Sequence, residues 1–193
     1  MLPEDAARRH EVVAGRFAEL TRGVLQGEWD APAPVEGWTA RDVVGHLVGW
    51  FPGFLESGTG LVLRSGPDVA VDPVGAWREH AAQVQALLDD PATADRRFSN
   101  PHTGAHPLAV AVDMFYTADV FMHSWDLAVA TGQPIELDAE FAERLLAGMR
   151  PIEQVMRSSA QYGPEVEVPE GSDAPTRLLG FIGRDPFWAP PPR

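Results

Sequence analysis

The stretch from Pro107 to Gly132 reads as one apolar helix, and it carries Asp119 and His123 four residues apart. On an α-helix four steps turn about 400°, so the two side chains project from one face, one turn apart. Burying a carboxylate and an imidazole in such a helix is costly unless something pairs them. A divalent first-row metal accepts both as ligands. A second histidine with the same setting, His46, lies in Thr39–Trp50, another apolar helical stretch, and is the natural third ligand. The chain therefore reads as a helical bundle that brings His46, Asp119 and His123 together. Spacing alone leaves open the plainer reading, in which each histidine is a satisfied core residue.

Neighbouring residues extend the candidate site. Tyr116, one turn before Asp119, is a candidate catalytic donor to a metal-bound or substrate oxygen, or else a buried tyrosine bonded to a carbonyl. Asp126, three residues past His123, is placed to hold that ring's other nitrogen, and Asp42, one turn before His46, to orient His46. Asp42 also completes a capping box with Thr39, and the two roles can coexist.

The rest of the chain fills in around these helices. Val12, Val13, Phe17, Leu20, Val24 and Leu25 recur at three- and four-residue steps, which predicts a first helix from Glu4 to about Gln26. The segment Glu28–Trp38, with two prolines and a glycine, reads as a crossing loop whose tryptophans pack on the bundle end, one of them as a pocket wall. The second helix runs from Thr39 through Trp50 and is interrupted at Pro52-Gly53. Asp72-Pro73 starts a third helix that reaches Asp89, with His80 expected on its surface. From Pro91 to Pro107 the sequence is turn-rich and reads as a loop, with His102 and His106 as a pocket rim. A further helix begins near Asp138 and passes Pro151 to Met156, Val166–Pro169 reads as a short extended piece, and Thr176–Gly183 as a last short helix. No internal repeat is visible.

Composition narrows the chemistry. A net charge of -13, with no basic run in the sequence, argues against a nucleic-acid or anionic-membrane partner, either of which needs a basic patch. With 0 cysteines the protein supplies no thiolate ligand or nucleophile, so any thiol in its chemistry is imported. No run approaches the roughly 18 consecutive apolar residues of a membrane span, and the acidic start Met1–Asp5 does not resemble a signal peptide, which together predict a cytoplasmic protein. Hydrophobic residues make up 45% of the 193, enough for one sizeable core with a small appendage.

Three segments, Pro32–Leu47, Asp119–Gly132 with its His-Ser-Trp-Asp-Leu-Ala core, and Arg177–Pro186, resemble in order the signature blocks of an actinobacterial family. It is the family of metal-binding proteins related to the N-terminal domain of mycothiol-dependent maleylpyruvate isomerase, within the DinB-like superfamily. The resemblance implies an all-α fold, a DinB-like four-helix bundle with a long crossover over residues 1–160, and a short C-terminal extension over 161–193 packed on it. It implies a divalent metal, most commonly zinc, on His46, Asp119 and His123, and mycothiol as co-substrate. Isomerase relatives carry glutamate where this chain has Asp119, a shorter arm that bears on coordination and metal preference. The isomerase's separate C-terminal domain is not found here, so turnover of maleylpyruvate itself is not expected.

The implied function is a metal-dependent thiol S-transferase or isomerase, in which a metal-stabilised thiolate attacks a small electrophile. The alternatives are a non-catalytic metal or small-molecule binder and a metal-dependent hydrolase. Arg41 joins Tyr116 as a candidate catalytic residue, and Trp38, Trp50 and Arg184 as candidate lining of a thiol or substrate pocket. The expected partners are a small-molecule thiol and an electrophile, with the chain a monomer or homodimer.

Overall fold

Aspartate and threonine caps set the helix starts. In the computed structural model, which describes residues 1–101, 103–158 and 162–190, Asp5 accepts from Arg8 N to open α1 (Ala6–Gly23). Thr39 and Asp42 form the expected capping box on α2 (Ala40–Thr59). Asp72 accepts from Gly75 N, with Pro73 in the first turn of α3 (Pro73–Asp89), and Asp90 caps the single turn α4 (Pro91–Ala94). Each cap satisfies an amide that the first turn leaves without a partner, at a gain of about 1 kcal/mol.

Helix α2 runs through Pro52 and ends at Gly60, whose φ of 73° allows the left-handed turn. The expected break does not occur because Phe51 and Leu55, on either side of the proline, are fully buried. Two such burials contribute about 1.5–3 kcal/mol each, against about 3 kcal/mol for an internal proline.

The segment expected as a loop contains an antiparallel hairpin, β1 (Arg97–Asn100) with β2 (Gly104–Pro107), in which Phe98 pairs with His106. Of its residues only Phe98 is fully buried, packed on Phe54 of α2 with ring centroids 4.6 Å apart. His102 lies outside the described residues. His106 donates to the Thr103 carbonyl at 2.9 Å and packs on Phe115.

The central helix comprises α5 (Leu108–Ala111), a π-helical stretch over Val112–Thr117, and α6 (Ala118–Ala130). Arg9 of α1 grips the π stretch by a bidentate pair with Asp113, both contacts at 2.7 Å, and His10 meets Thr117 Oγ1 at 2.9 Å. Helix α1 packs against α3 and α6, and α2 packs against the same two. The shared core includes Phe17, Leu47, Phe51, Trp77, Tyr116 and Leu127. His80, expected on the surface, is instead buried among Phe51, Trp77 and Tyr116. His80 falls between Trp77 and Val84 on the same buried face of α3.

Beyond Gly132 come α7 (Ala139–Met149), a 3-10 turn over Arg150–Ile152, α8 (Glu153–Ser158) and α9 (Ala174–Phe181). Helix α9 packs on α7. Residues 166–169 form no strand; Val166 N donates to the Gly180 carbonyl at 2.9 Å and lays the segment along the end of α9. The expected boundary between residues 160 and 161 lies outside the described residues. No helix among the described residues is long and apolar enough to cross a membrane.

Candidate metal centre

Helices α2 and α6 bring His46, Asp119 and His123 together, with one possible ligand atom from each all lying within 4.8 Å of one another. His46 Nε2 stands 3.1 Å from Asp119 Oδ2, and His123 Nε2 stands 3.4 Å from Asp119 Oδ1. The imidazoles meet edge-on with centroids 4.8 Å apart. Asp119 is thus flanked by both rings, and its Oδ2 also accepts from the Trp50 indole N–H at 2.9 Å.

His123 Nδ1–H donates to Asp126 Oδ2 at 2.8 Å, which fixes the tautomer and turns Nε2 toward Asp119 and His46. Asp126 in turn receives Arg184 through Nε at 2.9 Å and Nη2 at 3.1 Å. Trp38 roofs the cluster, stacked on His123 at 5.7 Å and tilted over His46 at 5.0 Å.

Electrostatics follow from this arrangement. Burial opposes the charged form of Asp119, but His123, His46 and the Trp50 N–H outweigh it and hold the carboxyl below its ordinary range. Burial also opposes a proton on His123, and Asp119 and Asp126 overcome it, raising that imidazole above its usual value. Asp126 is pushed up by burial and pulled further down by His123 and Arg184. The cluster is therefore built to keep positive charge between carboxylates. A divalent cation meets the same need, and the two imidazole nitrogens and one carboxylate suit zinc.

The other candidates are engaged elsewhere. The Tyr116 hydroxyl is fully buried and donates to the Leu47 carbonyl at 3.2 Å. Burial and then the nearby Asp119 carboxylate raise this hydroxyl, but its hydrogen bond goes to the backbone of α2. Arg41 donates to the Val69 and Ala70 carbonyls at 3.2 and 3.0 Å and pairs with Asp30 at 3.5 Å. Asp42 spends its carboxylate on the Thr39 amide and hydroxyl at 2.8 and 2.6 Å, and these bonds lower its carboxyl. The Arg184 guanidinium lies on Asp126, not in a substrate pocket.

Sequence reading missed Tyr162, whose hydroxyl is pushed up to about 12 by burial and then by Asp119, against Arg184. It therefore lies within the field of the cluster, and no spacing to α6 announces it. A cleft of about 390 Å³ opens between α1 and the chain after α6, lined by Val13, Leu20, Phe121, Ser124 and Ile135. Phe121 and Ser124 lie across α6 from the face that carries Asp119 and His123. The donor set and not the size of a cavity marks the centre.

These features define a helical protein with a two-histidine, one-carboxylate centre between two core helices. The chain belongs to the family of the mycothiol maleylpyruvate isomerase N-terminal domain, whose model matches residues 10–128 and so includes His46, Asp119, His123 and Asp126. Two proteins described as uncharacterized, from two strains of Mycobacterium tuberculosis, are each 30% identical to it over 183 residues, 93% of this chain and 98% of theirs. No solved structure matches the chain.

Proposed function

We propose that His46, Asp119 and His123 hold a divalent cation, zinc by the chemistry of the donors, and that the protein uses it to activate mycothiol or a similar small thiol against an electrophilic substrate. The fold behind this reading is a DinB-like four-helix bundle made of α1, α2, α3 and the central helix, closed by a long crossover, with residues 161–193 as an extension. The observation that carries it is the orientation of His123, whose Nδ1–H is committed to Asp126 so that Nε2 faces Asp119 and His46.

The bound ion would supply Lewis acidity that stabilises a thiolate at neutral pH, which a chain with 0 cysteines must take from its co-substrate. The chain's own residues prepare the site. Trp50 fixes one Asp119 oxygen, Asp126 fixes the His123 tautomer, and Trp38 covers both imidazoles and limits water from that side. Tyr116 and Arg41 are bonded elsewhere, the Tyr116 hydroxyl to the Leu47 carbonyl and Arg41 to the Val69 and Ala70 carbonyls and Asp30.

A second reading, a non-catalytic metal-binding protein, is favoured by the engagement with carboxylates of this chain of both Arg41, the candidate catalytic arginine, and Arg184, the candidate pocket arginine. Metal content by elemental analysis of the wild type and His123→Ala, followed by calorimetric titration of mycothiol into both, separates the cases. Stoichiometric metal lost in the variant, with thiol binding that requires the metal, supports the transferase reading. Metal without thiol binding moves the protein to a passive binder or a hydrolase, and a wild type that neither carries nor accepts metal overturns the site.

A further inference from the structure

The ligands and Asp126 all fall within the family-matched residues 10–128, whereas the group that fastens Asp126 comes from outside them. Arg184 follows α9 and reaches Asp126 with two roughly parallel N–H···O bonds, the geometry in which a guanidinium fixes both oxygens of a carboxylate. The Asp126 side chain is 1% exposed and that of Arg184 13%, so water competes little for either. Oδ2 of that carboxylate, which accepts from Arg184 Nη2, also holds His123.

The segment that delivers Arg184 is itself tied down. Arg157 donates to the Phe181 carbonyl at 2.9 Å and to the Gly163 carbonyl, and pairs with Glu153 at 3.0 Å. Gly183, at φ 84°, packs on Gly163, where an added Cβ would lie 2.9 Å from the neighbouring Cα. This close approach starts the turn that carries Arg184 back toward α6. Its guanidinium also accepts no substrate in this arrangement, because its Nε and Nη2 face Asp126.

From this geometry we infer that Arg184 is a positioning residue of the metal centre, acting through Asp126 on His123, so that docking of the C-terminal segment sets how tightly the centre holds its ion. The inference rests on the metal-binding reading. With Arg184 in place Asp126 has one orientation, and His123 Nε2 is presented in one direction. Without it the Asp126 carboxylate is free to rotate, the imidazole loses its fixed tautomer, and an incoming ion must order both. Partners of this kind change metal affinity by about 10–100-fold. Metal binding and docking of the segment are then coupled in both directions.

The test uses the full chain, with zinc and cobalt(II) ions as probes. Arg184→Gln is expected to weaken zinc at least about tenfold in competition with a chromophoric chelator and to shift the cobalt(II) visible bands, with the metal-free protein still folded by circular dichroism. Arg184→Lys, which keeps the charge and loses the fork, should fall between, and decides the matter if Arg184→Gln does not fold. Arg177→Gln, which removes an exposed ion pair between α9 and Glu143 of α7 and touches neither Asp126 nor Arg184, should match the wild type. Unchanged affinity and spectra in Arg184→Gln, or an equal loss in Arg177→Gln, would overturn the inference. In the metal-free protein, nitrogen-15 NMR should show His123 protonated at Nδ1 in the wild type and a changed tautomer balance in Arg184→Gln. A wild type that takes up no metal sinks the functional reading, and the NMR signature alone then decides the positioning role, an unchanged balance refuting it.

Discussion

Asp119 is the carboxylate that both imidazoles share, and one of its oxygens is also bonded by Trp50. Asp119→Asn keeps the volume and an oxygen for the indole N–H but removes the charge that balances a cation. Metal affinity should drop by more than the roughly 10–100-fold seen when a supporting partner is lost, read by chelator competition. Asp119→Glu, which keeps the charge on a longer arm, should retain binding. An asparagine variant that holds metal as the wild type does would place the ligand elsewhere. The three-residue cluster was legible in the sequence because helical spacing and apolar surroundings single out ionisable groups that face inward. Asp126 was legible for the same reason, lying three residues from His123 on one helix. The bond of Arg184 to Asp126 is not legible, because the two are 58 residues apart in sequence and no periodicity spans α6 to the far side of α9. The burial of His80 is not legible either, because a polar residue type gives no sign of the ring cluster of Phe51, Trp77 and Tyr116 that surrounds it.

At the scale of elements, the starts of the longer capped helices were readable to within a few residues, since an aspartate or threonine followed by a proline or an apolar period is a local signal, while the single capped turn α4 and the far end of α2 were not. The hairpin and the π stretch were not. β1 and β2 are four residues each and bury chiefly Phe98, so they show no alternation to detect. The π stretch Val112–Thr117 contains neither glycine nor proline, and its support is tertiary, from Arg9 on Asp113 and from Tyr116 stacked on Phe51 with centroids 4.1 Å apart. The hairpin docks on α2 through a contact that can be tested. A Cβ added at Gly58 would lie 2.1 Å from Phe98 Cε2, and Phe98 is fully buried. Alanine gains about 1 kcal/mol over glycine in helix propensity, whereas forcing an extra methyl into a packed site costs about 1–3 kcal/mol. With Phe98 confined against Phe54, the packing cost wins. Gly58→Ala should lower the thermal midpoint while leaving metal affinity unchanged, and an equal or higher midpoint would show that the ring has room to yield.

For the whole molecule, two core histidines, His10 and His80, lower stability as the pH falls, against His123, whose raised value works the other way. Burial lowers His10 to about 3 and His80 to about 4, from an ordinary value near 6.5, and the Nε2 atoms of both are buried without a hydrogen-bond partner. Above about pH 6.5 both imidazoles are neutral in the folded and unfolded chain, and neither disfavours folding. As the pH falls below that value the unfolded chain takes up protons that the core refuses, so stability decreases by up to about 1.4 kcal/mol per pH unit for each histidine until the folded values are reached. The acidic chain, at -13, works the other way, because losing negative charge relieves self-repulsion. Comparing variants at each pH cancels that common effect. His80→Phe keeps an aromatic ring beside Phe51, Trp77 and Tyr116 and removes one titrating group. Urea midpoints measured from pH 7 to pH 5 in the presence of chelator should fall with acid in the wild type and fall less steeply in His80→Phe. Parallel curves would mean that His80 is protonated as easily in the core as in water, and that the core opens enough at this position to hydrate it.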